Sequence, residues 1–154
     1  MHNKVKLKIK FEPKFLDKVN DRPKYIHSGD SGADIRADLE FDINLGPSET
    51  RLVPTGIYLG IPDNYEVQIR TRSGMALKND LTVKNSPGTV DKNFTGLVCC
   101  IIYNTNKYET KKISKGDRIA QMVLCPVLQA DFEFVDSLEQ TDRNSGGFGS
   151  TGVS

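Results

Sequence analysis

The feature that most constrains the fold is a strict alternation of polar and apolar residues in short runs. Residues 4–11 read Lys-Val-Lys-Leu-Lys-Ile-Lys-Phe. Successive side chains of a strand point to opposite faces, so this run predicts a strand with Val5, Leu7, Ile9 and Phe11 on one apolar face. The lysines on the other face would discourage stray pairing at an exposed sheet edge.

Further runs of this kind follow, and each is bounded by Gly, Pro, Asn or Asp turns. Strands are predicted at 41–45, 52–61, 65–70, 97–103, 119–127 and 132–135. A single short helix is predicted at 73–79, with Ser73 as its cap. Many short strands with frequent turns indicate an all-β sandwich or barrel.

The length of 154 residues fits one domain, and a hydrophobic share of 37% is enough for a core. We expect the β domain to span residues 1–141. Residues 142–154 are polar and rich in glycine, which by composition predicts a flexible C-terminal arm.

The charge balance and the scarcity of histidine exclude several classes of function. Lys and Arg total 21 and Asp and Glu 20, without the basic excess typical of a protein that binds duplex nucleic acid. Two histidines cannot build a zinc site with several His ligands. The longest apolar run, 97–103, is too short to span a bilayer, and the N-terminus lacks the apolar stretch of a signal peptide. We therefore expect a cytoplasmic protein, without membrane or nucleic-acid partners, whose chemistry rests on carboxylates and arginines.

The tail carries groups that could bind an anion. Residues 147–152 match GxGxxG, but too few residues follow for the helix that a dinucleotide fingerprint requires. Successive glycines let backbone N–H groups converge on an anion. Ser150 and Thr151 would add hydroxyls, Arg143 a guanidinium, and Phe148 a ring able to stack on a base. By composition alone, a disordered terminus is the alternative.

Two segments nearer the N-terminus could also meet a phosphate. Arg72-Ser73-Gly74 lies where a strand meets the short helix, and the alternative is an ordinary helix start with a solvated arginine. Asp34 lies in Ser31–Ala37, just before a strand, and the alternative is a loop aspartate that bonds its own backbone.

Two further polar residues lie among apolar neighbours. Asp91, between Val90 and Phe94 in the hairpin 88–96, could be a general base or a turn residue. Gln121 follows a tight turn inside a predicted strand, where a buried amide needs a partner.

Taken in order, these segments resemble the five motifs of the trimeric dUTPase family. The resemblance covers residues 31–152 and rests on five segments: 31–37, 72–74, 88–96, 116–121 and 143–152. It implies a β jelly roll and a homotrimer whose subunits share three active sites. It also implies hydrolysis of dUTP to dUMP and pyrophosphate by Mg²⁺-assisted attack of water on the α-phosphorus. That activity would keep uracil out of DNA and supply dUMP for thymidylate synthesis.

The resemblance also implies residue roles. Asp91 would orient and activate the water and contact the sugar 3′-OH, Phe94 would pack under the deoxyribose and exclude a 2′-OH, and Asp34 would reach Mg²⁺ through water, with no direct protein ligand. Arg143 would meet the γ-phosphate, and Phe148 would stack on uracil. The implied phosphate contacts are Arg72, Ser73, Gly74, Gln121, Arg143, Gly149, Ser150 and Thr151. The implied uracil and deoxyribose contacts are Asn85, Gly88, Val90, Asp91, Phe94 and Phe148.

The sequence departs from the family pattern at two positions and leaves two alternatives. Phe94 stands where Tyr is usual, and Asn144 stands where Gly is usual. The alternatives are a bifunctional dCTP deaminase of the same fold and a trimeric binding or regulatory protein, with a protein partner if the chain is phage-encoded.

Overall fold

The structure, a computed structural model, describes residues 4–15, 21–142 and 144–145. Across these residues the chain forms ten β-strands, a 3₁₀ turn at Pro13–Phe15 and one α-helix, α1 (Ser73–Asn79). The strands are β1 (Lys8–Phe11), β2 (Ala33–Arg36), β3 (Ile43–Leu45), β4 (Thr50–Gly60), β5 (Tyr65–Arg70), β6 (Leu81–Val83), β7 (Gly88–Val90), β8 (Leu97–Asn104), β9 (Lys111–Ile113) and β10 (Arg118–Pro126).

In this described part, eight strands form two four-stranded antiparallel sheets. One sheet has the order β1-β4-β8-β6 and the other β2-β10-β5-β7, while β3 and β9 pair separately. Buried residues of both sheets, such as Val53 and Ile102 of the first and Val67 and Ile35 of the second, belong to one hydrophobic core. The described residues therefore form a β-sandwich, and the predicted all-β fold with one short helix is confirmed.

Local patterns explain the individual strands. In β8 every second side chain is buried, from Val98 to Asn104, because alternate residues face the core. In residues 4–11 the lysines are exposed and the apolar side chains between them are half-buried, as predicted. The paired strand is shorter than that run, because its register with β4 begins at Lys8.

Four predictions were wrong. Asp34 lies inside β2 and not in a turn before a strand. Residues 88–96 do not form a hairpin, because β7 pairs with β5 whereas β8 pairs with β4 and β6 in the other sheet.

The segment 132–135 forms no strand in the described chain, and Phe132 and Phe134 are 79% and 96% exposed. An apolar pattern yields a strand only where a neighbouring strand accepts its hydrogen bonds. Ser73 is not the cap of α1, because the cap position is Arg72, which makes no side-chain capping bond.

None of the helices in the described part of the chain has the length and apolar character needed to cross a membrane.

Candidate functional site

Strand β10 brings two of the predicted segments into register. Gln121 lies opposite Asp34 of β2 on one side and opposite Arg70 of β5 on the other. The chain leaves β5 directly after Arg70, so Arg72 lies at the same end of this sheet. Three segments that are far apart in sequence therefore meet at one edge.

The carboxylate of Asp34 is held between two guanidinium groups. Arg72 Nε donates to Asp34 Oδ1 at 2.7 Å, and Arg118 Nη1 donates to Asp34 Oδ2 at 3.2 Å. Arg72 also donates from Nη1 to the main-chain oxygen of Arg118 at 3.3 Å. The carboxylate therefore orients both cations, and two positive charges face one negative charge at this edge.

Thr71 connects this cluster to β6 and to the loop between β6 and β7. Gln121 Nε2 donates to the main-chain oxygen of Thr71 at 3.2 Å, and the Thr71 N–H donates to Ser86 Oγ at 3.0 Å. The Val83 N–H donates to Thr71 Oγ1 at 2.9 Å. Because β5 and β6 belong to different sheets, Thr71 ties the two sheets together beside Arg72.

The start of α1 continues this positive surface. Ser73 and Gly74 are exposed, and a cleft of about 260 Å³ opens beside Arg72. Lys112 and Arg118 also line this cleft. The carboxylate of Asp117 lines the same cleft, and Lys112 makes an ion pair with Asp42. Arg72 and Arg118 are therefore the cations of this cleft that belong to the Asp34 cluster.

The loop between β6 and β7 brings Asn85 and Gly88 together. A Cβ at Gly88 would lie 3.1 Å from Asn85 Nδ2, so the amide rests against a residue without a side chain. Val90 is 7% exposed and its side chain packs in the core. Any contact of Val90 with a ligand would therefore use its main chain.

Asp91 organises the turn that follows β7. Its Oδ1 accepts hydrogen bonds from the N–H groups of Asn93 at 3.0 Å and Phe94 at 3.2 Å. None of the described residues donates to Oδ2 of Asp91. One exposed carboxylate oxygen thus holds the turn, and the other is available to a water molecule.

Asp91 and Arg72 lie at opposite ends of the β5–β7 ladder. Val90 pairs with Val67, whereas Arg72 is five residues beyond Val67, roughly 16 Å of extended chain. Lys92, next to Asp91, makes an ion pair with Asp63 in the turn before β5. One chain therefore does not bring Asp91 to its own Arg72.

The predicted tail contacts Arg143, Phe148, Gly149, Ser150 and Thr151 lie outside the described residues. Asn144 is described, and it has a left-handed backbone with φ of 41°. Asparagine and glycine tolerate this conformation better than other residues. This tolerance explains why Asn144 can stand where the resemblance leads us to expect Gly.

Three residues of the site were missed by reading the sequence: Arg118, Thr71 and Ser86. Arg118 lies in the motif segment 116–121, directly after a tight turn. This position was the signal that could have identified it as a site residue. Thr71 and Ser86 carried no such signal, because their hydrogen bonds depend on how the two sheets meet.

The Asp34 carboxylate keeps acceptor positions beyond its two arginine contacts. A carboxylate has about four lone-pair positions, and Arg72 and Arg118 use two of them. The Asp34 side chain is 27% exposed, so a lone pair can accept a hydrogen bond from metal-bound water. No cluster of three His, Cys, Asp or Glu side chains suited to a metal occurs within the described ranges. A carboxylate that reaches an ion through water is compatible with Mg²⁺, which usually keeps several of its waters when bound.

Two further features are unrelated to this chemistry. The larger cleft, about 600 Å³, is lined by Glu12, Lys14, Asp38 and Lys115 and contains no predicted site residue. Burial raises the pKa of the Cys100 thiol to about 12, so this thiol packs as an apolar group and is no nucleophile.

Known proteins match this chain over most of its length. The dUTPase family model matches residues 20–152. A protein of Gloeothece citriformis named deoxyuridine 5'-triphosphate nucleotidohydrolase is 50% identical over 138 residues, covering 90% of this chain and 93% of that protein. A protein of Roseobacter denitrificans with the same name is 53% identical over 131 residues, covering 84% of this chain and 86% of that protein.

A solved structure agrees with these matches. The dUTPase of Staphylococcus bacteriophage 80alpha, solved with dUPNHPP, superposes with a TM-score of 0.83 at 26% identity. The superposition covers 97% of this chain and 100% of that one, which confirms the predicted jelly-roll-like fold. Because the family model spans most of the sequence and the curated relatives are about half identical, this chain belongs to the dUTPase family.

Proposed function

We propose that this protein hydrolyses dUTP to dUMP and pyrophosphate by attack of water on the α-phosphorus. The observation that carries the proposal is the convergence of Asp34, Arg72, Arg118 and Gln121 at one sheet edge in a chain of this family. Transfer of a phosphoryl or nucleotidyl group depends mainly on positioning and on neutralising charge, so the scarcity of histidine is no obstacle.

The phosphates would lie along Arg72, Ser73 and Gln121. The guanidinium of Arg72, aligned by Asp34, neutralises phosphate charge, and exposed Ser73 offers a hydroxyl and an N–H. Mg²⁺, when bound to the triphosphate beside Asp34, would withdraw further negative charge from the phosphate oxygens.

The nucleoside would lie against the loop between β6 and β7 and the turn that follows β7. Asn85, packed against Gly88, has an exposed amide that can read the polar edge of uracil. Asp91 holds its turn with Oδ1 and would take a proton from the attacking water with Oδ2. The half-exposed ring of Phe94 would pack under the deoxyribose.

The distance between Asp91 and Arg72 supports active sites shared between subunits. A single chain supplies the two groups at opposite ends of a ladder, so one substrate would meet Asp91 of one subunit and Arg72 of another. We therefore propose a homotrimer with composite sites.

The segment 128–138 supports the same assembly. It exposes large apolar side chains that an isolated subunit leaves in water: Leu128, Phe132, Phe134, Val135 and Leu138. Leu128 and Phe134 are 97% and 96% exposed, and burying such side chains against a neighbouring copy would stabilise the assembly.

The decisive experiment measures pyrophosphate release from dUTP, dTTP, dCTP and UTP, with Mg²⁺ and with a chelator. We expect rapid release from dUTP alone, and a marked loss with the chelator. Equal turnover of all four nucleotides, or none with dUTP, would contradict the proposal. Sedimentation of the same sample measures the number of subunits.

The assay with dCTP tests the alternative that the protein is a dCTP deaminase. A deaminase would release ammonia and form dUTP or dUMP from dCTP. The curated relatives are named as nucleotidohydrolases and do not favour this activity, so we expect dCTP to remain intact.

A further inference from the structure

The ring of Phe94 lies against the main chain at Gly96. A Cβ built on Gly96 would lie 2.9 Å from Cζ and 3.1 Å from Cε2 of the Phe94 ring. Carbon atoms in good contact are about 3.5–4.0 Å apart, so the ring occupies space that any other residue at position 96 would fill.

The main chain of Phe94 is held independently of this contact. The main-chain nitrogen of Phe94 lies 3.2 Å from Oδ1 of Asp91 and 3.2 Å from the main-chain oxygen of Asp91. Its N–H donates a hydrogen bond to both oxygens. The ring itself is 46% exposed. The backbone of Phe94 is thus held by Asp91, while its ring is partly exposed and its edge lies against Gly96.

We propose that Gly96 is a positioning residue for the sugar-binding ring: its missing side chain sets the depth at which Phe94 meets the deoxyribose. This inference rests on the proposed function, in which Phe94 packs under the sugar. A side chain at position 96 displaces the ring outward by about 0.6 Å, into the space that the sugar needs.

The phosphate contacts should be insensitive to this displacement. In the proposed composite site, Arg72 and Asp34 come from a different subunit than Phe94 and do not contact its ring. Within one chain they lie at the far end of the β5–β7 ladder from the turn that carries Phe94. Ligands that contain the sugar should therefore bind more weakly to Gly96→Ala, whereas pyrophosphate should bind as before.

The test uses the full-length chain with Gly96→Ala, Phe94→Ala and the double variant. Gly96→Ala is expected to raise KM for dUTP and the inhibition constant of dUMP about tenfold, as one extra methyl group in a fitted pocket does. The kcat and the inhibition constant of pyrophosphate should change less than about twofold. In the Phe94→Ala background the same substitution should change KM less than about twofold, because no ring remains to be displaced.

Gly46→Ala is the matched control. A Cβ at Gly46 would lie 3.4 Å from Oε2 of Glu49, which is an ordinary contact, and no predicted site residue lies there. This variant should keep the kinetic constants of the wild type.

Three outcomes would overturn the inference: no rise in KM for Gly96→Ala, an equal rise in the Phe94→Ala background, or an equal weakening of pyrophosphate. If Gly96→Ala fails to fold, adding Phe94→Leu should restore folding, because the shorter side chain vacates the space. Failure of this rescue would assign the defect to the backbone and overturn the inference. Absence of dUTP hydrolysis by the wild type would instead contradict the proposed function.

Discussion

Nε of Arg72 lies 2.7 Å from Oδ1 of Asp34, across 38 residues of sequence. Arg72 Nε donates to the carboxylate and Nη1 donates to the main-chain oxygen of Arg118, whereas no described residue accepts a hydrogen bond from Nη2. The side chain is 22% exposed, so a ligand can reach this part of the guanidinium. An arginine held in this way meets a phosphate without first losing side-chain entropy. Asp34 is therefore expected to act through Arg72 as well as through metal-bound water.

Asp34→Asn should lower kcat/KM for dUTP about 10- to 100-fold, the range for loss of a charge-assisted hydrogen bond. The amide is neutral and cannot hold two guanidinium groups. Steady-state pyrophosphate release measures this effect, and Glu40→Gln, at an exposed carboxylate outside the site, is the control. An Asp34→Asn enzyme within about twofold of the wild type would contradict the role.

Ser86→Ala should lower kcat/KM for dUTP about fivefold, because the Thr71 N–H loses its acceptor and the loop between β6 and β7 loses its hydrogen bond to the Arg72 segment. Ser86 is exposed, so the protein should remain folded. Ser86→Thr keeps the hydroxyl and should restore activity. If both variants are equally impaired, the hydroxyl is not the cause.

Asp91→Asn should bind a non-hydrolysable dUTP analogue normally and lose turnover about 10²–10⁴-fold, the usual effect of losing a positioned base. The amide oxygen can still accept from Asn93 and Phe94, so the turn should survive. Calorimetry measures binding and pyrophosphate release measures turnover. Asp63→Asn, which breaks an exposed ion pair beside the same turn, should leave both unchanged. Near-normal hydrolysis by Asp91→Asn would rule out its role as the base.

Phe94→Ala should raise the ratio of kcat/KM for UTP to that for dUTP, because the ring is proposed to fill the space that a 2′-OH needs. Phe94→Tyr keeps the ring and should keep the wild-type ratio. An unchanged ratio in a folded Phe94→Ala protein would place sugar selection elsewhere.

A chain truncated after Asp142 should fold and form trimers, because residues 143–154 have no apolar periodicity. It should hydrolyse dUTP very poorly, since the predicted contacts of Arg143, Phe148, Ser150 and Thr151 are removed.

The truncated chain and Asp91→Asn should complement each other. One supplies the carboxylate and the other supplies the tail, so trimers formed by refolding them together should be more active than either parent. Each parent refolded alone is the control, and mass measurement identifies the mixed trimers. Without a gain in activity, composite sites would be contradicted.

The sequence by itself determined the class of fold and the segments of the site. Alternation over 4–11 and 65–70 is a local property, because side-chain direction in a strand depends only on residue parity. The helix at 73–79 was likewise predictable, and the five segments could be recognised in order without knowing where they meet.

Tertiary structure decided which of these segments share a site. The alternating pattern specifies which face of a strand is apolar, but it does not specify which strands are its neighbours in a sheet. The position of β10 between β2 and β5 could therefore not be deduced from the sequence. That pairing puts Asp34, Arg72 and Gln121 at one edge, while the β5–β7 register puts Asp91 at the other end. The same reason explains why 132–135 was wrongly predicted to be a strand. Its apolar pattern is typical of a strand, but a strand also requires a neighbouring strand, and the described residues of one chain provide none.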